Sequence, residues 1–112
     1  MNWFPHLPVA ITVCDAEGVI LQMNDQAARI FAKDGGYELL GKSLLDCHPE
    51  PARSKLEALL KNQTPNTYTI EKNGVKKMIH QTPWYEKGQF AGLVEFSFEM
   101  PSEIPHFLRS TT

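Results

Sequence analysis

The dipeptide Asn73-Gly74 constrains this chain more than any other feature, because both residue types accept the positive φ angles of a two-residue type I′ hairpin turn. On either side lie residues 67–72 and 75–85, rich in the β-branched and aromatic side chains that favour extended backbone. A two-residue turn fixes the register. Lys72 must oppose Val75, which sets Glu71 against Lys76 and Tyr68 against Ile79, an opposite-charge pair and an apolar pair. A further turn at Glu86-Lys87-Gly88-Gln89 leads into residues 90–100, where Phe90, Val94, Phe96, Phe98 and Met100 alternate with Ala91, Leu93, Glu95, Ser97 and Glu99. The alternation predicts a strand with one strongly apolar face and another that is polar beyond Leu93.

The first half carries a second hairpin signal. Residues 9–13 and 19–23 are apolar runs joined by Asp15-Ala16-Glu17-Gly18, an acidic start and glycine end that suit a tight turn. Asn24 then offers a helix cap, and Ala27, Ile30 and Phe31 fall at i, i+3 and i+4 as one buried stripe before Gly35-Gly36 stops the helix. Residues 37–50 suggest one or two short helical turns. Pro51 suits the first turn of a further helix, with Ala52, Leu56, Leu59 and Leu60 on its buried face and Arg53, Lys55, Glu57 and Lys61 facing water. The order is ββ, helices, βββ. It predicts an α+β fold: an antiparallel sheet of about five strands with short helices packed on one face.

With 112 residues and 42% hydrophobic side chains, the chain can bury one core and is not disordered as its main state. Eleven Lys+Arg stand against 13 Asp+Glu, for a net charge of -2, so there is no basic excess for nucleic acid. Residues 7–14 form the longest apolar stretch, interrupted by Pro8 and Thr12, and fall far short of the roughly 20 that span a bilayer. No membrane partner is expected. Met1-Asn2-Trp3-Phe4-Pro5 lacks the basic start of a secretion signal, so the expected location is cytoplasmic, with Cys14 and Cys47 as thiols.

Four pieces in order resemble a bacterial-type PAS sensory domain: residues 13–20, residues 23–28, residues 36–43 around Gly41, and the three closing strands. The resemblance covers residues 7–100, leaving an N-terminal arm at 1–6 and a tail at 101–112. It implies a five-stranded antiparallel sheet of order 2-1-5-4-3 and a small molecule or cofactor held between sheet and helices. The expected function is a non-enzymatic sensory and signalling module that passes its state to a signalling protein partner by contact, as a homodimer. The alternative is a ligand-free dimerisation and interaction scaffold. Candidate lining residues are Phe31, Leu44, His48, Leu56, Leu60, Tyr68, Ile79 and Phe96.

His48 carries the chemistry to be weighed. As a haem ligand it would make a gas or redox sensor, whereas the structural reading has it close the preceding helical turn by donating to a carbonyl. His80 is the weaker alternative, on a hairpin face with Thr67, Thr69 and Met78 that is expected to be the outer one. Cys14, Cys47, His48 and His80 show no zinc-ligand spacing. Noncovalent flavin stays open, but a covalent flavin photocycle does not fit, since Gly41-Lys42-Ser43 is followed by Leu44 where the light-sensing branch has its cysteine. Asp46 and His48 could serve acid–base catalysis only if their loop turned both side chains together. Trp3, Phe4 and Leu7 form an apolar arm expected on the exposed sheet face or a second subunit. The tail, broken by Pro101 and Pro105, is expected to form no signalling helix, leaving a free-standing module.

Overall fold

In the computed structural model, which describes residues 1–111, strands β1 (Ala10–Asp15) and β2 (Ile20–Met23) are followed by helices α1 (Asp25–Ile30), α2 (Leu44–Cys47) and α3 (Ala52–Asn62), then β3 (Asn66–Lys72), β4 (Val75–Glu86) and β5 (Gln89–Glu99). The strands form one antiparallel sheet of order β2-β1-β5-β4-β3. Asn73 and Gly74 take φ of 54° and 78°, and Lys72 pairs with Val75, Glu71 with Lys76 and Tyr68 with Ile79, as the two-residue turn requires.

Asn24 does more than cap α1. Its Oδ1 accepts from Ala27 N at 3.1 Å and from Ile11 N at 3.0 Å, while its Nδ2 donates to Val9 O at 2.6 Å. The side chain has no exposed surface, so it fastens the helix start to strand β1 and is out of reach of a ligand.

The helices cover one face in two patches. Ala10, Ile20, Met23, Ala27 and Leu39 form one core cluster, with Phe31, Leu44 and Cys47 packed on it; Cys14, Leu56, Leu59 and Leu93 form the other, with Leu45, Leu60 and Phe90. Two expected core positions are not buried. Ile30 is 41% exposed and Ala52 is exposed, because α1 is only six residues long and α3 meets the sheet through Leu56 and Leu59.

The larger departure lies in β5. Trp84 pairs with Gly92 but Tyr85 pairs with Phe90, so Ala91 is an extra residue in the ladder. A β-bulge of one residue reverses every side chain beyond it. Phe90 and Leu93 therefore both face the helices, and from Leu93 onward the polar residues Glu95 and Ser97 share that face with their cross-strand partners Thr12 and Ala10. Val94, Phe96 and Phe98 point away, paired with Val13 and Ile11 on β1 and Met78 and His80 on β4. The apolar face read from residues 90–100 is thus the outer face of the sheet. Gly92 makes the bulge feasible: a Cβ there would stand 1.9 Å from the Cys14 carbonyl oxygen. Trp84 Nε1–H, on β4, donates to that same carbonyl at 2.9 Å.

The N-terminal arm makes a 3-10 turn at Phe4–His6 that lies against α1, with His6 Nδ1 3.6 Å from Asp25 Oδ2. Residues 101–111 run exposed beyond β5 without helix or strand. No helix among the described residues is long and apolar enough to cross a membrane.

Candidate ligand cavity

Between the two core clusters the helices leave the sheet uncovered, and a cavity remains there. One lobe, of ≈ 200 Å3, lies over β3, β4 and β5 and is lined by Tyr68, Ile70, Lys77, Ile79, Glu95 and Ser97, with Ala10, Ile30 and Phe31 on its far side. A second, of ≈ 210 Å3, lies under the short helices between Ile20, Met23, Phe31, Leu39, Leu44 and Cys47. Thr12, Phe31 and His48 line both. A narrow space of ≈ 20 Å3 between Leu44, Leu56, Gln81 and Leu93 also touches Thr12, His48 and Glu95. Thr12 and His48 thus line all three spaces. The first lobe opens beside β3, an edge strand on which Tyr68 and Ile70 stay 39% and 45% exposed.

His48 is held in place by the end of α2. Ser43 caps that helix by accepting from Leu45 N at 3.2 Å, and at the other end His48 Nδ1 lies 2.7 Å from Leu44 O. A carbonyl can only accept, so Nδ1 carries the proton, and Nε2 is left for the cavity. The structural role and a ligand-facing nitrogen coexist in this one ring.

Glu95 is the polar centre. Gln81 Nε2 donates to its Oε1 at 2.8 Å, and Asn66 Nδ2 donates to Gln81 Oε1 at 2.9 Å, so a chain of amides crosses from β3 through β4 to the carboxyl on β5. Burial pushes the Glu95 carboxyl above the ordinary carboxylate range; the Gln81 hydrogen bond and the nearby His48 ring pull the other way without cancelling it. Burial and then the Glu95 charge also raise the Tyr68 phenol. Lys55 Nζ stands 5.5 Å above the Tyr68 ring, so α3 reaches across to the open side.

Of the residues singled out from the sequence, Phe31, Leu44, His48, Leu56, Tyr68 and Ile79 line these spaces. Leu60 does not; it packs on the Cys14, Leu56, Leu59 and Leu93 cluster. Phe96 lies on the opposite side of the sheet, its ring stacked 6.5 Å from that of His80, because the Ala91 bulge turns it outward. His80 is on that outer face too, with its Nδ1 2.7 Å from Thr67 Oγ1. Asp46 is exposed and lines none of the three spaces, so it forms no pair with His48 there. Thr12, Gln81, Glu95 and Ser97 were not singled out. Gly92 within a strand pattern is the sequence signal that would have exposed them, since an isolated strand glycine marks a bulge.

Pockets for drug-sized ligands run about 300–1,000 Å3; each lobe taken alone is smaller than that, and the two share Thr12, Phe31 and His48 in their lining. Cys47 lines the second lobe, between the short helices and the Thr12, Ile20 and Met23 side of the sheet. Both cysteines are free thiols, and burial pushes that of Cys14 up.

Compared with known proteins, the sequence matches a family model described as PAS fold over residues 4–75. The structure resembles the PAS domain of BvgS from Bordetella pertussis, at 22% identity and a TM-score of 0.66, covering 88% of this chain and 82% of that one. It is similar to a sensory box sensor histidine kinase from Vibrio cholerae, at 15% identity and a TM-score of 0.65, covering 87% and 85%. It is also similar to the Aer2 receptor from Vibrio cholerae, described as a dual PAS-haem oxygen sensor, at 19% identity and a TM-score of 0.59, covering 83% and 95%. At these identities the likeness establishes the fold alone. Among curated proteins none matches the sequence.

Proposed function

The chain belongs to the PAS fold family, and from that premise we propose that it is a sensory module which binds a small molecule between sheet and helices and transmits by protein contact, without catalysis. The observation that carries this reading is the cavity itself: two lobes near 200 Å3 that share Thr12, Phe31 and His48 in their lining, with the Glu95 carboxyl in one of them. An apolar enclosure with a few convergent polar groups is the usual form of a small-molecule site. PAS domains occur as sensory modules of signalling proteins, and a sensor histidine kinase is among the similar structures. Each lobe has room for a metabolite-sized ligand.

The cavity touches α2 and the loop before it, elements with little burial of their own, so an occupant would order or displace them. The outer sheet face offers the contact surface. Phe98 is exposed there and Val13, Met78, Val94 and Phe96 are half-buried, with Ile11 buried beneath, an apolar face suited to a second copy or a signalling partner. The same face supports the second reading, a ligand-free dimerisation scaffold.

Ala10→Leu separates the two. Ala10 is buried and lines the first lobe, so the added carbons fill it from the sheet side. Denaturing gently purified protein and weighing what it releases should yield a stoichiometric small molecule from the wild type and none from Ala10→Leu. A wild type that releases nothing yet remains dimeric supports the scaffold.

A further inference from the structure

The first lobe has a polar arrangement that restricts what can occupy it. Glu95 Oε1 is taken by Gln81, and among the described residues no side chain bonds Oε2. His48 Nδ1 is taken by Leu44 O, and nothing bonds Nε2. No buried side-chain nitrogen or oxygen of the described residues lacks a partner, so these two atoms must sit on accessible surface. Glu95 is half-buried, and the space it borders is the cavity, which His48 borders too. Two atoms without a side-chain partner thus face one space, which the Thr12, Tyr68 and Ser97 hydroxyls and the Lys77 amine also border.

We propose that this lobe recognises a small ammonium compound, a primary amine on an aromatic or branched apolar body, with Glu95 as its counter-ion and the His48 Nε2 lone pair as a second acceptor. The inference rests on the cavity being a ligand site and specifies which ligand class it takes. An enclosed carboxylate is costly unless it meets a charge and hydrogen bonds together. An ammonium brings one positive charge and three N–H donors, whereas an alcohol brings one donor and no charge. Much of the remaining wall is apolar: Phe31 and Tyr68 offer ring faces that also attract cations, and Ile79 closes the floor, with Thr12, Lys77 and Ser97 as the other polar members. An apolar cavity of about 150 Å3 holds benzene, so this lobe, at ≈ 200 Å3, has room for a ring and one added polar group. Lys77 also lines the lobe, and its cross-strand partner on β5 is Glu99. Its competing attraction would favour a carboxylate ligand instead.

Benzylamine, benzyl alcohol and benzoate share one ring and differ in the head group, so titration calorimetry of each against the full chain reads the preference directly. Benzylamine should bind about ten- to a hundredfold more tightly than benzyl alcohol, the range expected of a hydrogen bond to a charged group. Glu95→Gln, close to isosteric, should bring benzylamine down to the level of the alcohol and leave the alcohol unchanged. If benzyl alcohol or benzoate binds the wild type as tightly as benzylamine, the amine assignment is overturned while the cavity stands as a ligand site. If none of the three binds, both are overturned. The wild-type ranking alone decides the matter should Glu95→Gln fail to fold.

Discussion

Replacing Asn24 by alanine removes three hydrogen bonds at once. The buried N–H groups of Ile11 and Ala27 lose their acceptor, and Val9 O loses its donor. Each buried polar group left without a partner costs about 1–3 kcal/mol, so the three together should cost about 3–9 kcal/mol. A domain of this kind has only about 5–15 kcal/mol in hand, and the variant should stand near the edge of folding. Asn24→Ser sharpens the test. Serine is as good a helix cap as asparagine, but its shorter side chain cannot reach β1 while capping Ala27, so the bonds to Ile11 N and Val9 O should still be lost. Urea unfolding followed by far-ultraviolet circular dichroism should show the serine variant at least about 2 kcal/mol below wild type, with the slope unchanged. A serine variant within about 0.5 kcal/mol of wild type would refute the reasoning, because capping alone would then account for the residue.

Other substitutions test the bulge, the turn and the buried acid. Gly92→Ala puts a Cβ 1.9 Å from Cys14 O, an atom of the strand backbone that cannot yield, so more than about 3 kcal/mol should be lost in urea unfolding. Gly74→Ala meets nothing within 4 Å and pays only for its φ of 78°, about 1–2 kcal/mol by the same measurement. Because burial holds the folded Glu95 carboxyl above its unfolded value, the folded state keeps a proton that the unfolded chain has released. Stability from this group is complete below the ordinary carboxylate range and is lost as pH rises through the raised value. Glu95→Gln should therefore gain on wild type as pH rises, and parallel pH profiles for the two proteins would contradict that sign.

The hairpin at Asn73-Gly74 was legible because turn chemistry fixes register locally: once the loop is two residues long, every cross-strand pair follows. The sheet order and the helices on one face came from the resemblance and the element sequence together. What local pattern could not supply was the direction of β5. Phe96 and Phe98 read as core because alternation carries no label for inside, and a single inserted residue, Ala91, exchanged the faces. Glu95 was hidden for the same reason, since a glutamate among strand residues reads as solvent-facing until the bulge turns it over the cavity. His48 was legible in kind and not in geometry: its place before Pro49 marked the end of a helical turn, while the orientation of Nε2 follows from the hydrogen bond to Leu44 O.

The account rests on a ligand entering between the sheet and the helices, and a shift map of isotope-labelled protein titrated with benzylamine and benzyl alcohol tests that most directly. Shifts should gather at Thr12, Phe31, Ile79 and Ser97, which line the first lobe. Shifts confined to Val94, Phe96 and Phe98 on the other side of the sheet, or none from either probe, would contradict it.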